Sequence, residues 1–467
     1  HSGRSSVTTA GDSDGVLWSE RAFQARDVDI PTSVVCAMTT IGSDTGGHAV
    51  DFGSGSPPQQ PNVTVGDGKT AWVAVAMESL FKSVTPRDDA IARCARLQPS
   101  DFPALTAEHA AWWAAYWDQA WIEIGDPLIE KAYYLSYYGM GSCSRDPEFP
   151  PAIFGWTTTD APGWNGDYHT NYNHAAPFYA LASGNRLEQL APHDPPVLKF
   201  KSRAEKYATD IFGSGSERWG VLYPVGIGPE GIDSTHSHAS FSHPNKEQGV
   251  LTFGQRSNAA YMLVNMAEHW RRTYDLAYGA SIYAYAKEVI AFWEQYLVWE
   301  SSRYKIVGDS VHEGSGTDVN PVQTLGLLRN ALDLVIDLSE ELDQDAGKRV
   351  AWRHILENLS GYTTQVRDGV EVFRYTEAGT AWWDDNTLGI QHIFPAGAVD
   401  HESEPSLVTC SRNTIDVMQR WYDFNGSNSI FPAAVRVGLD PRTILEKLRG
   451  YERRMAPNGF QRDNPHG

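Results

Sequence analysis

The sequence predicts a mainly α protein, a closed toroid of paired helices preceded by a β-rich segment. Three observations carry this. Up to about residue 100, short β-rich runs such as 33–38 and 70–76 alternate with Gly, Ser, Pro and Asp clusters, among them Gly53-Ser54-Gly55-Ser56-Pro57-Pro58. From about 128 onward, amphipathic helical segments succeed one another with nothing β expected between them. No constant period of about 20–50 residues runs through them, so an open solenoid is disfavoured and a ring of helical hairpins remains.

Each element follows from local pattern. Residues 87–96 read as a helix, and 106–117, which carries Trp112, Trp113, Tyr116 and Trp117, as an aromatic helix bridging two regions. The helices expected beyond it span 128–143, 171–185, 197–212, 257–273, 277–298, 320–342, 345–358, 410–424, 429–437 and 440–453. Within 320–342, Leu325, Leu328, Ala331, Leu332 and Val335 recur at helical spacing. Asn320 is its expected N-cap, with Pro321 at the first helical position. In such a ring, loops converge at one end, and long loops in a compact domain are usually functional.

Composition narrows the function. The 467 residues carry 38 Lys+Arg against 58 Asp+Glu, a net charge of −20, which argues against nucleic acid and anionic membrane as partners. No apolar stretch is long enough to span a bilayer. Aromatic residues make up 12% of the chain, and acidity with flat aromatic faces suits a neutral sugar; solubility alone is the competing explanation of the acidity. Cys36, Cys94, Cys143 and Cys410 form no metal or redox pattern and do not reveal the compartment. His236-Ser237-His238 reads as a structural or substrate-edge loop. No metal and no cofactor are expected. No P-loop occurs, and no G-x-S-x-G or G-x-G-x-x-G stands ahead of an expected helix, so serine hydrolases, nucleotidases and dinucleotide enzymes lose support.

Four segments carry chemistry. The first, 154–173, interleaves Trp156, Trp164, Tyr168 and Tyr172 with Asp160, Asn165, Asp167, His169, Asn171 and Asn173. Apolar planes set among amides and carboxylates match a pyranose, with its CH faces and OH edges; a capping loop packed on its own aromatics is the alternative. The second, 308–320, holds His312 and Glu313 ahead of a long helix. A general acid there needs a raised pKa, supplied by burial and by hydrogen bonds to its neutral form, and otherwise Glu313 is a solvated loop carboxylate or a capping acceptor. The third is the terminal stretch 456–467, where Asp463 pairs with Glu313 as the two separated carboxyls of an inverting glycosidase or is simply part of a polar tail. The fourth, 381–397, offers Trp383, Asp384, Asp385 and His392 as binding-rim groups, or as parts of a core turn.

In this order the segments resemble the catalytic toroid of glycoside hydrolase family 95, inverting enzymes that include α-L-fucosidases. The resemblance runs from about residue 105 to the end. Trp164-Asn165-Gly166-Asp167-Tyr168-His169-Thr170-Asn171-Tyr172-Asn173 looks like the family's W-x-x-D-Y-x-x-N-x-N stretch. Glu313 stands where the family has a Glu before a long helix. His392 precedes a Pro-Ala-Gly turn as a family histidine does, and Phe460-Gln461-Arg462-Asp463 matches a late F-Q-x-D. The resemblance implies an (α/α)6 toroid behind part of an N-terminal β-sandwich, with 1–100 as the partial sandwich, 101–127 as helical linker and 128–467 as catalytic domain. It implies that Glu313 protonates the leaving oxygen while Asn171 and Asn173, polarised by Asp463, orient and deprotonate water. Trp156, Trp164, Asp167, Tyr168, His169, His312, Trp383, Asp384 and His392 are the expected substrate-binding residues.

The expected activity is an exo-acting inverting hydrolase of plant or microbial oligo- or polysaccharide, from a bacterial, secreted or periplasmic source. The stretch after Asn173 and the wording around Glu313 and Asp463 depart from the fucosidases, so the sugar need not be fucose. Alternatives are a polysaccharide lyase using Tyr168, His169 and Asn171, a phosphorolytic enzyme, and a non-catalytic sugar-binding homologue. The termini suggest a piece of a longer protein. The expectation is therefore a toroid incomplete at its C-terminus, completed by a second polypeptide piece or a homo-oligomer.

Overall fold

The structure is a computed structural model that describes residues 6–23, 30–42, 71–153, 166–214, 217–235, 251–316, 318–384, 386–422 and 427–456. Trp156, Trp164, Asp385, Asp463 and the 236–238 loop lie outside the described residues. The chain divides into two units, 1–119 and 120–467.

The first unit is a small antiparallel meander, β1 (Ser6–Ser13), β2 (Val16–Phe23), β3 (Thr32–Ile41) and β4 (Trp72–Ser79), in sequential order. Asp14 and Gly15, both at positive φ, make the two-residue turn that keeps Ser13 opposite Val16. One face of the sheet takes α1 (Pro86–Ala95), which buries Ala90 and Cys94 against Val16, Val35 and Ala37. The other face leaves Val34, Val73, Val75 and Met77 exposed. The helix α2 (Phe102–Asp118) stacks Trp112 on Tyr116 and Trp113 on Trp117, the i, i+4 neighbours of one helical surface.

The second unit is mainly helical. It comprises α3 (Pro127–Cys143), a short α4 (Leu187–Leu190), α5 (Asp194–Phe212), α6 (Asn258–Thr273), α7 (Leu276–Tyr296), α8 (Val322–Glu341), α9 (Arg349–Asn358), α10 (Pro405–Met418), α11 (Ser427–Arg436) and α12 (Pro441–Glu452). Sequence neighbours pack as hairpins: α6 on α7, α7 on α8, α8 on α9, α10 on α11 and α11 on α12. The core lies under α6 and α8, where Leu325, Leu328, Ala331, Leu332 and Val335 are all buried, as their spacing predicts. The last helix meets the first: Asp126 caps α3 through Leu128 and Ile129 N–H and takes Arg449 of α12 on its other oxygen at 2.6 Å.

Three expectations need correction. Residues 171–185 are not a helix; Tyr172 and Asn185 have positive φ, Pro177 lacks a donor, and only one short turn at Ala176–Phe178 is helical. The helices are not free of β between them, since β5 (Tyr168–His169) pairs with β6 (Gly226–Ile227), β7 (Val298–Glu300) with β8 (Arg303–Lys305), and β9 (Thr364–Arg367) with β10 (Val370–Phe373). Asn320 does not cap α8. At φ +51°, its side chain instead accepts from Ile306 N–H at 2.7 Å and donates to Glu377, and α8 begins at Val322.

Candidate functional site

Three segments meet around Glu313: β5 with the turn after it, the loop entering α6, and loop 308–320 entering α8. Loop 308–320 has little regular structure, so its shape depends on side chains. Asp318, buried at 1% exposure, accepts Val311 N–H at 3.0 Å, the Ser315 hydroxyl at 2.8 Å and Thr380 N–H at 2.7 Å. Gly314 at φ +69° makes the turn beside Glu313 and donates its N–H to Phe253 O at 3.1 Å, while Ser310 N–H binds Gly254 O at 3.0 Å. The loop that carries His312 and Glu313 is thus pinned to the loop before α6.

That second loop supplies Gln255. Asn171 Nδ2 donates to Gln255 Oε1 at 3.0 Å and to Glu313 Oε1 at 2.6 Å. Both amide hydrogens are then used, and Asn171 Oδ1 is left buried with no hydrogen-bond partner among the described residues. Such an acceptor suits a water or a sugar hydroxyl. Asn171 and Asn173 flank Tyr172, whose φ of +129° is a conformation that L side chains seldom adopt.

His169 lies under the carboxylate. Its Nδ1 is 2.9 Å from Asp167 Oδ1, and its Nε2 is 3.6 Å from Glu313 Oε1, an ion-pair contact rather than a hydrogen bond. Asp167 is itself held: Ser234 donates to its Oδ2 at 3.2 Å, and Gly226 makes room for it, since a Cβ there would stand 2.1 Å from Oδ2. Burial pushes the His169 imidazole down, but the Asp167 contact and charge, with those of Glu313, carry it up to about 9. Burial raises Glu313, yet His169 and Asn171, with the charge of His312, outweigh it and hold the carboxyl below its ordinary value. The expectation that burial and hydrogen bonds to the neutral form would raise Glu313 is therefore corrected: its hydrogen-bond partners favour the anion. Its side chain keeps 38% of its surface open, which limits the desolvation.

The remaining candidates are spread more widely. The His312 ring stacks on Trp383 with centroids 4.4 Å apart and planes at 13°. Trp383 also lines a cleft of about 370 Å³, shared with Arg367, Trp382, Asp384, Arg420 and Tyr422. Asp384 is exposed there and accepts from Trp382 Nε1 at 2.7 Å. Tyr168 is buried against His174. Asn173 is half-buried and has no hydrogen bond among the described residues. His392 is wholly buried against Tyr362 and Phe373, and burial pushes it down to about 3; no contact brings it to Glu313.

Sequence reasoning missed Gln255, Asp318 and Gly226. The turn glycines Gly314 and Gly316 around Asp318 were the available signal, because a tight polar loop needs an internal acceptor. Nothing local marks Gln255 or Gly226. Among the described residues, no group of His, Cys, Asp or Glu is arranged to hold a metal ion, and no helix is long and apolar enough to cross a membrane.

Around Glu313 the fold thus brings together a carboxylate, an amide and an imidazole, beside a stacked aromatic pair and a cleft. The glycosyl hydrolase family 95 catalytic domain matches residues 111–425, more than half of the chain, and the chain belongs to that family. It is a glycoside hydrolase, and its substrate is a carbohydrate. No curated protein matches it.

Proposed function

We propose that the chain is an exo-acting inverting glycoside hydrolase, with Glu313 as the general acid and a sugar other than fucose within its range. The observation that carries this is the 2.6 Å hydrogen bond from Asn171 Nδ2 to Glu313 Oε1, with Asn171 Oδ1 left over as an unused buried acceptor. Glu313 protonates the glycosidic oxygen as its bond to the anomeric carbon breaks. Water attacks that carbon, oriented by the spare oxygen of Asn171 and by Asn173. An amide is a weak base, so the proton of that water passes toward a carboxylate, the role that the resemblance gives to Asp463. The cleft beside Trp383 takes the leaving group, its aromatic faces stacking on sugar CH surfaces.

The contact between α12 and α3 supports the closed (α/α)6 ring, and the apolar outer face of the first unit's sheet supports half of a β-sandwich. The test is Glu313→Gln on a panel of aryl glycosides. Turnover should fall by about 10²–10⁴-fold in a variant that still folds by circular dichroism, and near-normal activity would remove Glu313 from its role. Proton NMR of the first-formed anomer should show inversion; retention sinks the water mechanism.

A further inference from the structure

We propose that His169 stores the proton that Glu313 delivers, so that the His169–Glu313 pair, held by Asp167, acts as one acid. This rests on Glu313 being the acid. In the open site the carboxyl is held in its anionic form, and an anion cannot protonate a leaving group. The missing proton has a holder 3.6 Å away on His169 Nε2.

The geometry is that of a relay. Asp167 binds Nδ1 at 2.9 Å, which fixes the ring so that Nε2 faces Glu313. Ser234 and the space left by Gly226 fix Asp167 in turn. The charged groups bearing on the pair are Asp167 beside His169 on its own segment, Glu313 from loop 308–320, and His312 next to Glu313. Asn171 and Gln255 contribute neutral amides.

Substrate supplies the trigger. While Glu313 is partly open, water supports the ion pair. A sugar ring covering the carboxylate expels that water, and in a low dielectric the neutral pair is favoured over two charges. As the 3.6 Å gap closes to hydrogen-bond distance, the Nε2–H bond breaks and the Oε1–H bond forms. The carboxylic acid then gives this proton to the glycosidic oxygen, and the departing sugar keeps it. The proton of the attacking water passes to its carboxylate acceptor and from there to solvent, and solvent reprotonates His169. His169 is a positioning residue, acting only through Glu313.

The two groups titrate as a pair that must keep one proton. For the wild-type enzyme, the alkaline limb of kcat/KM should therefore fall near pH 9, with the His169 imidazole. In His169→Gln the limb should move down by at least two pH units, to that of a carboxyl group alone. Asp167→Asn should move it part of the way. The ligand-free wild-type His169 should titrate near pH 9 by nitrogen NMR. An unmoved alkaline limb in the folded variants overturns the proposal, as does a His169 that is neutral at pH 7. A Glu313→Gln enzyme that stays active would overturn the acid assignment instead, so the two failures are distinct.

Discussion

Asn171 and Glu313, 142 positions apart in the chain, are joined by a hydrogen bond of 2.6 Å, and Gln255 holds the other hydrogen of the same amide. The amide therefore sets both the place of the carboxylate and the direction of its own free oxygen. Asn171→Ala should lower kcat by about 10²–10³-fold, the scale of losing one preorganised polar contact in an active site. Gln255→Ala leaves the amide in place but unbraced, and should cost about tenfold. Steady-state kinetics on one aryl glycoside checks both, and a larger loss at Gln255 would refute this order.

The His169 imidazole also couples stability to pH. It is carried from 6.5 when exposed to about 9 in the fold, so its contribution is complete below pH 6.5 and is lost as pH rises through 9. The carboxyl of Glu313 is held below 4.5, so its part is complete above pH 4.5 and is lost in acid. Their joint contribution is greatest between these values, and the imidazole's share is about 3 kcal/mol by linkage. Thermal melts should show stability declining between pH 6.5 and 9 in the wild type and a flatter profile in His169→Gln.

Trp383 faces both His312 and the cleft. Trp383→Ala should raise KM for an oligosaccharide about fivefold, since an aromatic contact contributes roughly 1 kcal/mol. A glycosyl fluoride has a single-atom leaving group and does not reach the cleft, so its kcat/KM should stay within about twofold. Equal losses on the two substrates would place Trp383 elsewhere.

Asp318 orders the loop that carries Glu313. Asp318→Ala would orphan the N–H groups of Val311 and Thr380 together with the Ser315 hydroxyl. A loss of about 2–4 kcal/mol in denaturant titration is expected, with kcat falling as well, because the loop no longer presents Glu313 in one place. A change in stability without any change in kcat would separate the loop from the chemistry.

Much of the helical scaffold is legible in the sequence. Leu325 through Val335 repeat at helical spacing, and all of the residues named at that spacing are buried in α8. The failures are local rules overruled by tertiary partners. Asn320 is a good capping residue by type, but Glu377 and Ile306 N–H claim its side chain. Residues 171–185 are rich in alanine and look helical, yet the turn that presents Asn171 between β5 and the α6 loop requires Tyr172 at positive φ. The site was legible as separate loops, because dense amides, carboxylates and aromatics in irregular segments are conspicuous.

By itself the sequence determined most of the helices, the aromatic and polar composition of the loops, and the candidacy of Asn171, His169 and Glu313. Periodicity and residue type are local properties, and the chain displays them directly. Only the tertiary structure decided that these three meet, that Gln255 and Asp318 hold them, and that His392 stands in the core. It also decided the electrostatic setting of Glu313: burial acts to raise its carboxyl, and the imidazole 3.6 Å away together with the Asn171 amide outweighs it. Electrostatic balance depends on distances between residues remote in sequence, and those distances exist only once the chain has folded.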